Sequence, residues 1–534
     1  MGKAVAGFAF LLLGAGALGQ VSLTPESCAR LGELALPGAK ITAAGMVKAG
    51  AFEPPSLQPQ QDAAAPIYKA LPSFCQVQAE ATPSGDSDIK IEVWMPLAGW
   101  NGRFLAVGNG GFAGDISYHE LATSLANGYA TSSTDTGHSG AAIDARWALG
   151  HPEKIVDFGH RGIHEMTRVA KAVVKAFYGN DPHKSYFAGC SNGGRQALME
   201  AQRYPEDYDG IVAGAPANYW SHLLTSAVWD AQALTATPAS YIPSSKVPAI
   251  AQAVNAACDA EDGVKDGIVN DPRKCRFRPQ SMLCKGGETD KCLTPPQAAT
   301  LDKLYGGARD SHGNKIFPGF LPGAEEGSGG WGLWIIGSAP GKSLLFFFGN
   351  GFFANMAYNK ADWDYRQANL DDAVKIADGG PDKILNATDP NLKPFAAHGG
   401  KLLLYHGWND PAISALNTID YYDAVSKELG LRQLKESVRL FMAPGMQHCA
   451  GGPGPDSFGE SWTPAPRDPA HDAQLALEQW VEKGTAPSEI IATKYAGDSD
   501  KTVKMTRPLC AYPRAAKYEG SGSADDAANF VCVD

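Results

Sequence analysis

Positive charge is scarce in this sequence relative to negative charge, and long apolar runs are missing from most of it. The chain has 46 Lys and Arg against 57 Asp and Glu, which gives a formal net charge of −11 at pH 7 over 534 residues. An acidic chain is repelled by nucleic acid and by anionic membranes, so we expect neither as a partner. Beyond the N-terminus, no uninterrupted apolar stretch reaches the ~18 residues that indicate a transmembrane helix. The sequence also shows no internal repeat.

The N-terminus has the pattern of an export signal over residues 1–19. Lys3 supplies a positive charge, residues 5–17 are apolar, and small residues precede a cleavage point near Gln20. We therefore expect a secreted or periplasmic protein. The alternative is that the segment stays uncleaved as an N-terminal anchor. The hydrophobic content of 44% is enough for a large core, or for a core domain with an insertion.

Residues 189–193 read Gly-Cys-Ser-Asn-Gly, the G-x-S-x-G pattern of a nucleophile elbow. In such an elbow a sharp turn between a strand and a helix exposes the serine oxygen. Residues 184–188 are apolar and aromatic, as in a buried strand, and residues 195–204 are rich in helix formers. A chance match is the alternative. The flanking pattern favours Ser191 as a catalytic nucleophile.

Two later segments offer the acid and the base that an elbow serine needs. A strong strand pattern at 401–406 leads to Asp410, and another at 438–442 leads to His448. In α/β-hydrolases the triad follows the chain order Ser, Asp, His. Functional loops of parallel sheets also follow the carboxyl ends of strands. We therefore predict Ser191 as nucleophile, His448 as base and Asp410 as the orienting acid.

These residues make the chain resemble a known family. Cys190-Ser191, Asp410 and His448-Cys449 form the CS-D-HC arrangement of the tannase and feruloyl esterase family, supported by segments 184–196, 208–216 and 444–454. The family also includes hydrolases of mono(2-hydroxyethyl) terephthalate. The resemblance implies an α/β-hydrolase with a large lid, acting on esters of aromatic acids. The expected partner is a small aromatic ester, free or attached to plant polysaccharide or polyphenol.

The ten cysteines suggest oxidised pairs in an exported chain, although spacing cannot prove their connectivity. Contact between Ser191 and His448 would bring Cys190 and Cys449 within disulfide range; the alternative is that each pairs elsewhere. Cysteines that lie close to each other in the sequence suggest three further disulfides, and the two cysteines that are left would form a fifth. All five agree with what the family resemblance implies: Cys190–Cys449, Cys258–Cys275, Cys284–Cys292, Cys510–Cys532 and Cys28–Cys75.

The glycine-rich loop 108–114 has two interpretations. It matches a loose dinucleotide-binding fingerprint, but no clear βαβ unit surrounds it. The other interpretation is an oxyanion loop, which lies upstream of the elbow in lipases and esterases. By resemblance we assign the oxyanion donors to the amides of Gly111 and Asn192. No organic cofactor is expected.

The strand and helix patterns divide the chain into an α/β-hydrolase core and an inserted lid. The core would comprise 20–217 and 396–534, and the lid would comprise 218–395, which is too long for a structureless loop. Strands are predicted at 89–95, 103–107 and 129–135, the first two as a hairpin, and helices at 163–177, 414–430 and 472–483. Residues 54–61 read as loop.

The lid segment 258–268 is acidic and offers oxygen ligands for calcium. Its spacing differs from an EF-hand, and an acidic surface turn is the alternative. The resemblance implies a structural calcium held by side chains of Asp259, Asp262 and Asp266 and by carbonyls of Val264 and Ile268. Elsewhere, His160 and His164 lie four residues apart without the Glu of H-E-x-x-H, and we interpret them as structural or surface residues, with metal binding as the alternative.

The sequence gives less information about the substrate than about the fold or the catalytic residues. Aromatic residues in the lid, Trp334 among them, are candidates for an apolar pocket, with lid packing as the alternative. In the terephthalate-monoester branch we expect an aromatic residue three places after the acid, where this chain has Ile413, which we predict to bind substrate together with Trp334. We also expect a lid arginine, and residues 329–360 contain none. We predict feruloyl or related hydroxycinnamoyl esters as substrates, with galloyl esters, terephthalate monoesters and a catalytically inactive binding protein as alternatives.

Overall fold

A computed structural model describes residues 2, 23–55, 65–459, 463–497 and 500–534. The predicted signal peptide, residues 1–19, lies outside these residues except for Gly2. The described chain is built around a nine-stranded sheet with the order β1-β2-β3-β5-β4-β6-β7-β8-β9. Its strands are β1 (Ala39–Val47), β2 (Phe74–Ala81), β3 (Ile89–Pro96), β4 (Arg103–Val107), β5 (Ala130–Thr134), β6 (Lys184–Cys190), β7 (Gly210–Gly214), β8 (Lys401–Gly407) and β9 (Val438–Ala443).

The first three strands are antiparallel to their neighbours, and β5, β4, β6, β7, β8 and β9 run parallel. The predicted hairpin of 89–95 with 103–107 is wrong. β4 pairs with β5 and β6, and β5 lies between β3 and β4. The helix Tyr118–Ala126 follows β4 and crosses over to β5, because parallel strands need a crossover connection and cannot be joined by a tight turn.

Alternate residues of the apolar strands face opposite helical layers. Leu402 and Leu404 of β8 belong to a core with the helices on one face, whereas Leu403 and Tyr405 pack with a helix on the other face. A strand buried on both faces is apolar throughout, which is why the run at 402–405 has no polar residue. The helices outside the insertion are Pro25–Ala29, Ala65–Lys69, Tyr118–Ala126, Pro152–Val156, Gly162–Tyr178, Asn192–Arg203, Ala415–Ser437 and Ala473–Lys483.

Between β7 and β8, residues 215–400 contribute no strand to the nine-stranded sheet of the described chain. The predicted lid, 218–395, falls in this interval and has an apolar cluster of its own. Among the described residues, no helix combines the length and the apolar character that crossing a membrane requires. The helices of the interval are Trp220–Thr235, Val247–Cys258, Pro295–Gly306, Leu344–Phe352, Leu370–Ala377, Pro381–Leu385 and Lys393–Ala397, with π-helical turns at Gly332–Ile336 and Phe353–Ala357.

The C-terminal part adds two antiparallel pairs, β10 (Glu489–Tyr495) with β11 (Val503–Cys510) and β12 (Ala515–Tyr518) with β13 (Phe530–Val533). All ten cysteines are paired. The pairs are those predicted from the sequence: Cys28–Cys75, Cys190–Cys449, Cys258–Cys275, Cys284–Cys292 and Cys510–Cys532.

Candidate active site

Ser191 lies in a strained turn between β6 and the helix Asn192–Arg203, which we call the elbow helix. Its backbone has φ 64° and ψ −122°, a conformation that non-glycine residues rarely adopt. The turn lies very close to β7, because the amide of Ser191 donates to the carbonyl of Gly214 at 3.0 Å. A Cβ at Gly194 would lie 2.2 Å from that same carbonyl oxygen. The elbow therefore requires glycine at position 194.

The predicted base and acid lie in direct contact. Nδ1 of His448 is 2.8 Å from Oδ2 of Asp410, and the Asp410 side chain is completely buried. The other oxygen, Oδ1, accepts the amides of Ala412 at 2.7 Å and Ile413 at 2.9 Å. Because Nδ1 of His448 donates to Asp410, its Nε2 is the nitrogen left to receive a proton.

A second histidine binds the same aspartate, and the sequence analysis did not single it out. His406, fully buried at the end of β8, directs Nε2 at Oδ2 of Asp410 (3.1 Å) and at the carbonyl of Ile413 (3.0 Å). Two acceptors at Nε2 assign the proton there, so Nδ1 accepts from the Thr418 hydroxyl at 2.7 Å. The only available signal was a histidine at a strand end, four residues before the acid.

These contacts determine the ionisation of Asp410. Burial by itself would raise its pKa, but the charge of His448 and hydrogen bonds from both histidines outweigh burial and hold the pKa below the ordinary value of 3.8. Opposite charge and hydrogen bonding to the charged form both favour ionisation. Asp410 is therefore a carboxylate at every pH at which His448 can act as a base.

The disulfide between Cys190 and Cys449, which we call the clamp, joins the elbow to the base loop. Its Cα atoms are 6.0 Å apart although the residues are separated by 259 positions in sequence. Ser191 and His448 are the chain neighbours of these two cysteines. A hydrogen bond between Ser191 and His448 is not among the contacts of the described residues. Such bonds are often long in unliganded enzymes and shorten when substrate binds.

The two predicted oxyanion donors belong to the glycine-rich loop after β4 and to the elbow itself. Gly111 has φ 53°, and a Cβ there would lie 2.3 Å from the carbonyl oxygen of Ala142. Asn192 is the first residue of the elbow helix, where amides have no intrahelical acceptor. The oxyanion loop is attached to this helix, because the amide of Asn109 donates to Oε1 of Gln196 at 3.0 Å. The sequence analysis did not identify Gln196.

Aromatic rings from the lid connect the base to the oxyanion loop. Trp334 packs edge-on against His448, with ring centroids 4.8 Å apart, and stacks with Phe348 at 6.2 Å. Phe348 contacts Phe112, the residue after Gly111, at 5.4 Å. We call Trp334, Phe348 and Phe112 the aromatic bridge. Trp334 belongs to the π-helical turn Gly332–Ile336, a local geometry frequent at functional sites.

The other predicted pocket residue, Ile413, lies in a different environment. Its side chain is 3% exposed and belongs to the apolar cluster that contains Phe112. Its backbone contacts both Asp410 and His406. The described structure thus gives Ile413 a part in holding the acid, and its contact with substrate stays a prediction.

The lid segment 319–326 is hydrogen-bonded to both catalytic loops. Nδ2 of Asn409 donates to the carbonyl of Pro322 at 2.9 Å, and the Ser414 hydroxyl donates to the carbonyl of Gly319 at 2.7 Å. Gln447, beside the base, donates to the carbonyls of Ala324 and Glu326, both at 2.7 Å. This part of the lid is therefore a support for the acid and base loops.

The predicted calcium ligands lie in one turn of the lid. Oδ1 of each aspartate accepts amides of the turn itself, and Oδ2 of Asp266 is 2.8 Å from Arg507. The pKa of Asp262 is raised by burial and by the charges of Asp266 and Asp259. The donors are hard oxygens, as calcium prefers, and their mutual repulsion favours a cation. Calcium therefore matches the donor type and charge of the predicted ligands, which are Asp259, Asp262, Val264, Asp266 and Ile268.

The three aspartates do not converge on one point. Among the described residues, a single group of three metal-ligating side chains has its donor atoms within 4.8 Å of one another, and that group is His164, Glu200 and Asp207. Calcium binding at residues 259–268 therefore stays a prediction.

The predicted elbow serine, the His–Asp pair and the predicted oxyanion loop lie at the carboxyl edge of a mostly parallel sheet, which is the arrangement of an α/β-hydrolase. The family described as "Tannase and feruloyl esterase" matches residues 75–533. An uncharacterised esterase of Xanthomonas campestris is 43% identical over 545 residues, covering 97% of this chain and 93% of the relative. A probable feruloyl esterase B-2 of Aspergillus terreus is 34% identical, covering 86% of each chain.

Solved structures agree with this assignment. Feruloyl esterase B from Aspergillus oryzae superposes with a TM-score of 0.86 at 30% identity, covering 95% of this chain and all of that one. Tannin acyl hydrolase from Aspergillus niger shares the fold, with a TM-score of 0.75 at 22% identity, covering 96% of each chain. The chain belongs to the tannase and feruloyl esterase family and is a carboxylic-ester hydrolase, as the sequence motifs predicted.

Removing the clamp tests how the base loop is held. Replacing Cys190 and Cys449 with serine should lower kcat/KM by about 100-fold, the order expected for a ~1 Å misplacement between reacting groups. The free energy of unfolding should fall by ~2–5 kcal/mol. Replacing Cys510 and Cys532 with serine is the matched control, because it removes a disulfide from the C-terminal part. Equal losses of kcat/KM in both double variants would contradict a positioning role for the clamp.

Proposed function

We propose that this protein is a serine esterase that hydrolyses feruloyl and related hydroxycinnamoyl esters. The observation that carries the proposal is the contact of Trp334 with His448 at one end of the aromatic bridge and of Phe348 with Phe112, next to the oxyanion loop, at the other. A planar aromatic acyl group bound along these rings would have its ester carbonyl beside Ser191. Stacked and edge-to-face ring contacts would stabilise it.

In the first half of the reaction, Ser191 Oγ attacks the ester carbonyl carbon while Nε2 of His448 takes its proton. The carbonyl oxygen becomes an oxyanion, which accepts hydrogen bonds from the amides of Gly111 and Asn192. When the tetrahedral intermediate collapses, the bond to the alcohol oxygen breaks. His448 returns the proton to that oxygen, so a neutral alcohol leaves and an acyl-serine remains.

In the second half, His448 takes a proton from a water molecule, whose oxygen attacks the acyl carbon. Collapse of this intermediate releases the carboxylic acid and returns the proton to Ser191. Asp410 stays ionised throughout and stabilises the imidazolium formed in each half. His406 keeps Asp410 aligned, since it hydrogen-bonds both the carboxylate and the carbonyl of Ile413.

The choice among aromatic esters rests on the groups around the bridge. A terephthalate monoester carries a free carboxylate, which arginine binds in a bidentate manner and lysine does not. Residues 329–360 have no arginine. Galloyl esters carry three ring hydroxyls that need polar partners when buried, and Trp334, Phe348 and Phe112 offer a mostly apolar surface. Hydroxycinnamoyl esters fit this surface best, with galloyl esters second.

The triad assignment is tested by Ser191→Ala, His448→Ala and Asp410→Asn. Each should lower kcat by at least about 10³-fold, because each removes a group that acts in the transition state, and Ser191→Ala should leave the melting temperature nearly unchanged. Ser245→Ala, an exposed lid serine that is hydrogen-bonded only to Asp290 among the described contacts, is the control and should keep most of the activity. Near-normal hydrolysis of a chromogenic cinnamoyl ester by Ser191→Ala would refute the assignment.

The substrate proposal is tested with methyl ferulate, methyl gallate and mono(2-hydroxyethyl) terephthalate, measured side by side as kcat/KM. We expect methyl ferulate to be the best of the three. Trp334→Ala should reduce kcat/KM for methyl ferulate by about 10-fold or more, because it removes the ring next to the base, and should affect a short acetyl ester much less. A clear preference for the terephthalate ester would overturn the substrate assignment but not the esterase chemistry.

We also propose that the turn 259–268 binds a structural calcium ion, through Asp259, Asp262 and Asp266 and the carbonyls of Val264 and Ile268. The bound ion would offset the negative charge of the turn. It would have no part in the chemical steps, because its ligands belong to the lid and not to the loops that carry the triad.

Calcium removal should lower the melting temperature of the protein. An ion held at 100 times its Kd contributes about 2.7 kcal/mol to stability, so a chelator should shift the transition by several degrees. Asp262→Asn should melt at the same temperature with and without chelator. Asp290→Asn, an exposed lid position paired with Ser245, should behave like the unaltered protein. A melting temperature that chelation leaves unchanged would argue against the site.

We further propose that the protein works outside the cytoplasm, either secreted or in the periplasm. The support is the complete pairing of its ten cysteines, since disulfides persist mainly in oxidising compartments.

A further inference from the structure

A second cluster of reactive side chains lies behind the active site, between two helices of the core. His164 belongs to the helix Gly162–Tyr178, Glu200 lies near the end of the elbow helix, and Asp207 lies in the loop that follows. Glu200 is nine residues after Ser191, about 13 Å along the helix at 1.5 Å per residue. The cluster is therefore separate from the triad and takes no part in the ester chemistry.

Glu200 is the unusual member of this cluster. Its side chain is 1% exposed, and neither carboxylate oxygen has a hydrogen-bond donor among the described residues. A buried carboxylate without a partner is costly. The carboxylate of Asp207 lies beside it, with an oxygen of each group within 4.8 Å of the other. Two carboxylates have only acceptors, so they can lie side by side only when a proton or a cation is placed between them.

The same environment acts on the ionisation of Glu200. Burial raises its pKa well above the ordinary value, and the charge of Asp207 raises it further. Lys171 opposes this effect, but its Nζ is hydrogen-bonded to the backbone carbonyl of Asp207. One ammonium cannot balance two carboxylates. With His164 neutral, the cluster therefore has an uncompensated negative charge when both acids are ionised.

His164 supplies a nitrogen at the same point. Its Nδ1 lies 2.7 Å from Oδ2 of Asp207, and its ring stacks on Tyr204 at 3.9 Å, which fixes its orientation. The side chains of His164 and Asp207 are 32% and 20% exposed, so the cluster is open to solvent on one side. His160, one helical turn earlier, is hydrogen-bonded to the Tyr204 hydroxyl at 2.8 Å and is not available.

We propose that His164, Glu200 and Asp207 bind a divalent transition-metal ion of the Zn²⁺ type. One imidazole nitrogen and two carboxylates are a ligand set that zinc accepts, and a site with three protein ligands leaves the fourth position to water. The ion would neutralise both carboxylates and join the elbow helix to the preceding helix. Tetrahedral ligation at ~2.05 Å puts ligand atoms about 3.3 Å apart, so Nδ1 and Oδ2 need to separate only slightly.

Without the Glu of H-E-x-x-H, the sequence favours a structural or surface role for His160 and His164 over metal binding. That motif finds sites whose ligands lie on a single helix. In the proposed site the carboxylates come from positions 200 and 207, which only the packing of the two helices brings to His164.

The test uses the full-length protein, freed of metal by a chelator and returned to excess Ca²⁺ so that the lid turn is occupied. Equilibrium dialysis against Zn²⁺, followed by elemental analysis, should find one bound zinc per chain. Glu200→Gln and His164→Ala should each weaken binding at least 10-fold. His151→Ala is the matched control, because His151 also contacts an aspartate, Asp86 at 3.0 Å, but no third ligand accompanies this pair among the residues that the structure describes. It should bind zinc like the unaltered protein.

Co²⁺ substitution gives a second readout. The unaltered protein should develop the visible absorption bands of low-coordinate cobalt, and His164→Ala should not. If Glu200→Gln fails to fold, Asp207→Asn and His164→Ala carry the test, since both positions are partly exposed. Absence of zinc binding in the unaltered protein, or equal binding by all the variants, would overturn the proposal and leave Glu200 and Asp207 as a pair that shares a proton.

Discussion

The whole site depends on how closely the backbone at the ends of β4, β6 and β7 approaches the elbow helix. A Cβ at Gly108 would lie 2.7 Å from the Cα of Gly193, and one at Gly194 would lie 2.2 Å from the carbonyl oxygen of Gly214. These contacts leave no room for side chains. They bring the oxyanion loop, the nucleophile and the strand beside it to one point at the carboxyl edge of the sheet, where parallel sheets place their function.

Cross-links between distant segments hold the remaining groups at that point. The acid and base loops follow β8 and β9, more than 200 residues after the elbow, and the clamp joins the base loop to it covalently. Lid carbonyls at 319–326 accept hydrogen bonds from Asn409, Ser414 and Gln447. The inserted tract therefore has two parts in this architecture. One segment supports the catalytic loops, and the segment with Trp334 and Phe348 forms the surface above them.

Two buried carboxyl groups, one near each end of the elbow helix, lie in contrasting environments. At its N-terminal end, Asp410 is ionised because two histidines and two amides compensate its burial. Near its C-terminal end, Glu200 is buried, and the described part of the chain places no donor on either of its oxygens. Burial raises the pKa of a carboxyl group unless hydrogen bonds or opposite charges outweigh it. The first environment keeps the carboxylate beside His448 ionised, and the second requires a proton or a cation.

Local sequence determined much of this protein. The elbow, the strands at β6, β8 and β9 and the helix Gly162–Tyr178 follow from turn chemistry and periodicity, and the motifs identified the family. Sequence patterns did not identify β1 or β2 and misplaced β4 beside β3, because strand order depends on crossovers that no local pattern records. His406, Gln196 and the Glu200–Asp207 pair were likewise missed. Each is an ordinary residue in sequence and acquires its role only when packing removes water and brings a distant partner within hydrogen-bonding distance.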